Sequence, residues 1–129
     1  MKESKESLSY EIEFFEALIG QDENFVDALI PLGDAYTKAG EYEKGLKIDL
    51  RLSRLRPCDP LIHYNLACSY SLLGEMDCAY DALERAIIFG YDDYKSMMKD
   101  PDLRNDVHSK AFVPFLERVL KKVKKQLPR

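Results

Sequence analysis

Set against itself at an offset of 34, from Leu32 to Leu66, the chain comes back into register. Tyr36 meets Tyr70, Gly40 meets Gly74 and Glu41 meets Glu75, while Gly33 pairs with Ala67 and Gly45 with Ala79. A period of this length means a repeat architecture, and it constrains the fold more than any other feature. Each matched slot has a physical meaning. Leu32 and Tyr36 lie four apart, on one face of a helix. Gly33 and Gly45, like Ala67 and Ala79, are small enough to let two antiparallel helices approach closely. Gly40 and Gly74 follow the last periodic residue of a helix, where a left-handed cap is wanted. The unit is therefore helix, tight turn, helix. One such pair cannot bury its apolar face alone, so neighbours must stack.

The strings Leu32-Gly33-Asp34-Ala35-Tyr36 and Leu66-Ala67-Cys68-Ser69-Tyr70, with Ala79-Tyr80-Asp81-Ala82-Leu83-Glu84-Arg85-Ala86 further on, resemble the tetratricopeptide repeat. That family has a period of about 34 residues and a Leu-Gly-x-x-Tyr core. On this resemblance residues 26–59 are the first repeat and 60–93 the second, with Pro57 where the family often carries proline. His63 stands in place of the usual large aromatic, and Asp49 and Leu52 depart from the usual aromatic and alanine in the first unit.

The flanks extend the pattern. Leu8, Ile12, Phe15 and Ile19 recur at helical spacing, so residues 4–20 form a leading helix. Residues 94–129 read as a broken third repeat and a capping helix: a short helix from Tyr94, then Asp100-Pro101-Asp102-Leu103, then the apolar stripe Phe112, Phe115, Leu116, Val119, Leu120 and Val123. An Asp-Pro-Asp-Leu element resembles the one that closes arrays in bacterial members of the family, and it points to a bacterial source. The expectation is one all-α domain over residues 1–129, a right-handed superhelix of about seven helices, two of them short. Its core should include Phe15, Leu32, Tyr36, Leu46, Leu66, Tyr70, Ala79, Leu83, Phe112 and Leu116.

Composition excludes several function classes. With 46% hydrophobic and 33% charged residues the chain is of ordinary globular type. No apolar run nears the roughly 20 residues of a membrane helix, and the opening methionine is followed by polar residues rather than a secretion signal. A cytoplasmic protein without membrane contact is expected. The net charge of −4 is uneven, because eight basic residues from Arg104 onward face only Asp106 and Glu117. Cations in a last helix favour its dipole. Lys121, Lys122, Lys124 and Lys125 would be the phosphate contacts of a nucleic-acid binder, but no aromatic is interleaved among them and the whole chain is acidic.

Chemistry is sparse. Cys58, Cys68 and Cys78, an odd count, do not form a disulfide framework. With His63 they match no zinc spacing, so neither metal nor cofactor is expected. Cys68 and Cys78 read as small buried apolar residues, a redox pair being the alternative. His108 lies beside Asp106 and Ser109, where Ser109 serves better as a helix cap than as a nucleophile. The chain carries neither a Gly-x-Ser-x-Gly elbow nor a phosphate loop. No enzymatic activity is expected.

The resemblance implies a protein–protein interaction module whose first helices line a concave groove. Its lining would be Asp27, Ile30, Asp34, Thr37 and Lys38 in the first repeat, and Leu61, Tyr64, Asn65, Cys68 and Leu72 in the second. A peptide or partner protein would dock there. The acidic tails of heat-shock chaperones would not, because Ile30 and Asp34 stand where a Lys and an Asn would grip them. Two alternatives accompany this reading. The chain could be a self-associating module, monomer or weak homodimer, built on its last helix. It could also contact nucleic acid through the lysines of that helix.

Overall fold

The structure, a computed structural model, describes residues 4–103 and 110–126. All regular structure among them is helical. The helices are α1 (Lys5–Gln21), α2 (Val26–Lys38), α3 (Tyr42–Leu55), α4 (Pro60–Leu72), α5 (Met76–Ile88), α6 (Tyr94–Lys99) and α7 (Phe112–Gln126), with a 3₁₀ turn over Pro101–Leu103 before α7. The chain divides into two compact units, the first ending at Pro57 and the second beginning at Cys58.

The first unit packs α1 on α2 and α2 on α3. Ser4 starts α1, its hydroxyl accepting the Ser7 N–H at 3.1 Å, as an N-cap should. Leu29 and Leu32 are fully buried on α2, and Ile48 and Leu52 are buried on α3. The α2–α3 turn depends on Gly40 at φ 81°, a conformation that a Cβ disfavours. It lets Glu41 N–H reach Tyr36 C=O at 2.8 Å and Gly40 N–H reach Thr37 C=O at 3.0 Å, closing the helix end.

Close approach of α2 and α3 is the reason for the paired glycines. A Cβ on Gly33 would lie 3.1 Å from Ile48 Cγ2, and one on Gly45 would lie 2.9 Å from Thr37 Oγ1. Overpacking a tight seam destabilises by roughly 1–3 kcal/mol or more. Gly45→Leu is therefore expected to lower the melting temperature far more than Ala17→Leu, since Ala17 is exposed on α1. Equal thermal melts for the two variants would contradict the seam.

The second unit repeats the hairpin. Gly74, at φ 76°, turns the chain between α4 and α5. Glu75 N–H reaches Tyr70 C=O at 2.9 Å and Gly74 N–H reaches Ser71 C=O at 3.0 Å. Here Ala67 and Ala79, both buried, occupy the seam. Pro60 opens α4 at a position where its missing N–H is tolerated, and Asp59 caps it through Leu61 N–H at 3.0 Å. The 3₁₀ turn packs against α4, and α7 packs against α5. Phe112, Phe115 and Val119 bury the inner face of α7.

Of the expected core, Leu32, Tyr36, Leu66, Ala79, Leu83 and Phe112 are buried. Phe15, Leu46, Tyr70 and Leu116 are half-buried, at the margins of their seams. Cys78 is a correction: it is exposed, because on α5 it sits beside the Ala79–Ala82–Leu83–Ala86 face rather than on it. Arg104, Asp106, His108 and Ser109, including the cap expected for the last helix, lie outside the described residues.

Candidate functional site

On α2 the residues expected to meet a partner do form a surface. Asp27, Ile30, Asp34 and Lys38 lie along one side of the helix. Asp27, Ile30, Asp34 and Lys38 are open to solvent, while Thr37 is half-buried. Ile30 is 39% exposed, a branched apolar side chain between two carboxylates. Lys38 Nζ lies 3.1 Å from Asp34 Oδ2 across one helical turn. The Thr37 hydroxyl donates to Gly33 C=O at 3.1 Å and so belongs to the helix more than to a ligand. Tyr36, on the opposite side, donates its hydroxyl to Glu16 of α1. Burial and that carboxylate push its pKa well above the ordinary tyrosine range.

On α4 the expected set splits. Leu61 is 54% exposed, and Asn65 and Leu72 are half-buried. Tyr64 and Cys68 are buried, which corrects their assignment as open groove residues. The covering element is the segment after α6. Asp100 Oδ2 accepts the Tyr64 hydroxyl at 2.6 Å and lies 3.8 Å from Cys68 Sγ, while Asp100 Oδ1 accepts Asp102 N–H at 2.9 Å. The Tyr64 ring stacks on Tyr91, centroids 4.2 Å apart and planes 2° from parallel. Burial first, then the Asp100 carboxylate, drives the Tyr64 pKa far above the ordinary tyrosine range. Burial also raises Tyr91, opposed by its hydrogen bond with Tyr64. The side chain that organises this cluster, Asp100, is absent from the sequence-based site. Its signal is the Asp-Pro-Asp string, in which the first carboxylate can cap the turn that follows.

Cys68, Asp100 and Asp102 bring donor atoms within 4.8 Å of one another. Both Asp100 oxygens already accept hydrogen bonds, so the cluster is built as an acceptor for Tyr64 and the turn rather than as a cation cradle. Cys58, Cys68 and Cys78 are free thiols, and only Cys68 is buried. His63 is buried, with Nδ1 accepting from Arg85 Nε at 3.4 Å and its ring 5.2 Å from Phe89. It fills a packing position between α4 and α5. A depression of about 320 Å³ beside α5 and α7 is lined by Asp77, Tyr80, Asp81, Ala111, Phe115 and Arg118. Among the described residues its lining holds no thiol or imidazole. Among the lysines of α7, Lys122 pairs with Glu84 of α5 at 3.4 Å, tying the basic helix to its own unit.

No helix among the described residues is long and apolar enough to cross a membrane. No family model matches the chain. The chain is similar to a chloroplastic protein of Arabidopsis thaliana, with 35% identity over 89 residues. That match covers 67% of this chain and 27% of the plant protein's length.

Proposed function

We propose that the chain is a non-catalytic protein-interaction module of the tetratricopeptide type, a right-handed α-superhelix that presents the first helix of each hairpin to a partner. The observation that carries this reading is the congruence of the two turns. Glu41–Tyr36 and Glu75–Tyr70 close at 2.8 and 2.9 Å, and the paired Gly40–Thr37 and Gly74–Ser71 bonds are both 3.0 Å. Thirty-four-residue hairpins that repeat in backbone detail as well as in sequence are the units of arrays whose exposed helix faces serve recognition. Supporting it, His63 and Cys68 are committed to packing, leaving α2 with a mixed acidic and apolar stripe rather than a reactive constellation.

On α2 the docking residues are Asp27, Ile30 and Asp34, and on α4 they are Leu61 and Asn65. Two carboxylates around Ile30 suit a peptide with an apolar anchor and basic neighbours, and they repel an acidic tail. Ile30→Asp combined with Asp34→Lys changes only exposed side chains, so helicity should be retained. In a pull-down from the source lysate, the wild type is expected to retain a protein that this variant loses. Equal retention by both would remove α2 from the binding face. Tyr64 is unsuited to such a test, because its loss would disturb the Asp100 cluster.

A further inference from the structure

Helix α1 is apolar on two opposite faces, and only one is covered. Leu8, Ile12, Phe15 and Ile19 turn toward α2, with Leu8 buried and the other three half-buried. On the other side Glu6, Tyr10, Glu13, Phe14, Ala17 and Gly20 follow one another around a single face of the helix, and all six are exposed. Tyr10 is 72% exposed and Phe14 60%. Two large aromatics one turn apart in open solvent are not a feature a surface helix needs for its own stability. Beyond them the face is small: a Cβ on Gly20 would meet nothing within 4 Å.

We propose that this outer face of α1 docks a basic amphipathic helix of a partner protein. The shape selects a helix. A helix surface offers ridges and grooves for another helix, but its backbone groups are already bonded and cannot take up a partner strand as a sheet edge does. The charge selects the sequence. The face carries two charged groups, Glu6 and Glu13, and neither has a hydrogen bond or ion pair among the described residues. They lie seven residues apart on one edge, with Tyr10 and Phe14 along the other. The matching helix has an apolar stripe to cover the rings and Lys or Arg at seven-residue spacing beside it, as flanking charges do in coiled coils. Seventeen residues of α1 give about 25 Å of face, enough for roughly four turns of partner. The same carboxylates disfavour α1 pairing with α1 of a second copy, and they repel nucleic acid and anionic lipid.

The test uses the full chain and two labelled helical probes of about 21 residues, long enough to span the face with a turn to spare. They share a leucine stripe and differ in flanking lysine or glutamate at seven-residue spacing. Fluorescence anisotropy is expected to show the lysine probe binding at least about tenfold more tightly than the glutamate probe, which corresponds to about 1.4 kcal/mol. Phe14→Ser, which leaves the charge unchanged, should weaken the lysine probe by about tenfold, aromatic anchors being the residues that dominate such interfaces. Glu6→Lys with Glu13→Lys should reverse the preference between probes. Unchanged binding by Phe14→Ser, or an unreversed preference, would overturn the proposal. A dimer seen by light scattering and abolished by Phe14→Ser would assign the face to a second copy and overturn it equally. The α2 variant described above leaves α1 intact, so the two surfaces are tested separately.

Discussion

Replacing Leu66 with alanine is expected to lower the unfolding free energy by about 2–5 kcal/mol. Leu66 is 2% exposed on α4, in the hairpin seam with α5, the most extensive helix pairing in the second unit. Removing the isobutyl branch there loses its transfer free energy and leaves a void that the neighbouring helix, held by the Gly74 turn, can fill only in part. A domain of this size has roughly 5–15 kcal/mol in total, so the change is a large fraction of it. Leu61 supplies the internal control. It lies on the same helix but is 54% exposed, and Leu61→Ala should stay within about 0.5 kcal/mol of the wild type. Urea denaturation, with slopes compared as well as midpoints, measures both. Equal shifts would mean that α4 buries a different face.

The period-34 register reaches Leu66 without any structure, because each matched slot answers a local requirement. A left-handed turn needs Gly40 or Gly74 whatever lies beyond the hairpin. A seam in which a Cβ on Gly45 would press on Thr37 needs a small residue. Requirements of this kind are met within a few residues of chain, so they leave a mark in the string. Tyr64 and Cys68 are misplaced by the sequence for the opposite reason. Helical periodicity tells which residues share a face, but it does not tell which distant segment will lie over that face. Asp100 follows Tyr64 by 36 residues, and nothing near Tyr64 announces it. Two other features are legible in the string itself. Cys78 is off the Ala79–Leu83 stripe by simple helical arithmetic, and the Tyr10–Phe14 face of α1 has the same periodicity as the inner stripe of that helix. One helix can carry two apolar stripes, and covering the first leaves the second exposed. On α2, where no described segment covers the outer face, the expected Ile30, Asp34 and Lys38 emerge open to solvent.

The buried Tyr64 hydroxyl should make the stability of the Asp100 cluster depend on pH in a way that its ring alone would not. Tyr64→Phe removes only a hydroxyl, leaving the stack on Tyr91 in place. It deprives a half-buried carboxylate of a charge-assisted donor at 2.6 Å, which should destabilise by about 1.5–3 kcal/mol at neutral pH. Asp100→Ala should cost at least as much, because Asp102 N–H and Cys68 lose their acceptor as well. If the two side chains act through one hydrogen bond, the double variant will be less unstable than the sum, with a coupling of about 0.5–3 kcal/mol. The pH dependence follows from the direction of the Tyr64 shift. Its folded pKa is raised above the ordinary 10.0 by burial and by the Asp100 carboxylate. The folded state therefore holds the phenol proton more firmly than the unfolded chain does. That contribution is complete below about pH 10 and is lost as pH rises beyond it. The gap in stability between wild type and Tyr64→Phe should accordingly be flat from neutral pH to about 10 and shrink above it. Tyr36 and Tyr70, also raised, titrate in both proteins and cancel in the difference, whereas Tyr91 loses its Tyr64 partner and is raised further in the variant. A gap that stayed constant through about pH 11, or a cycle with no coupling, would show that Tyr64 holds the segment after α6 by its ring alone. In that case Asp100 would serve only the turn that it caps.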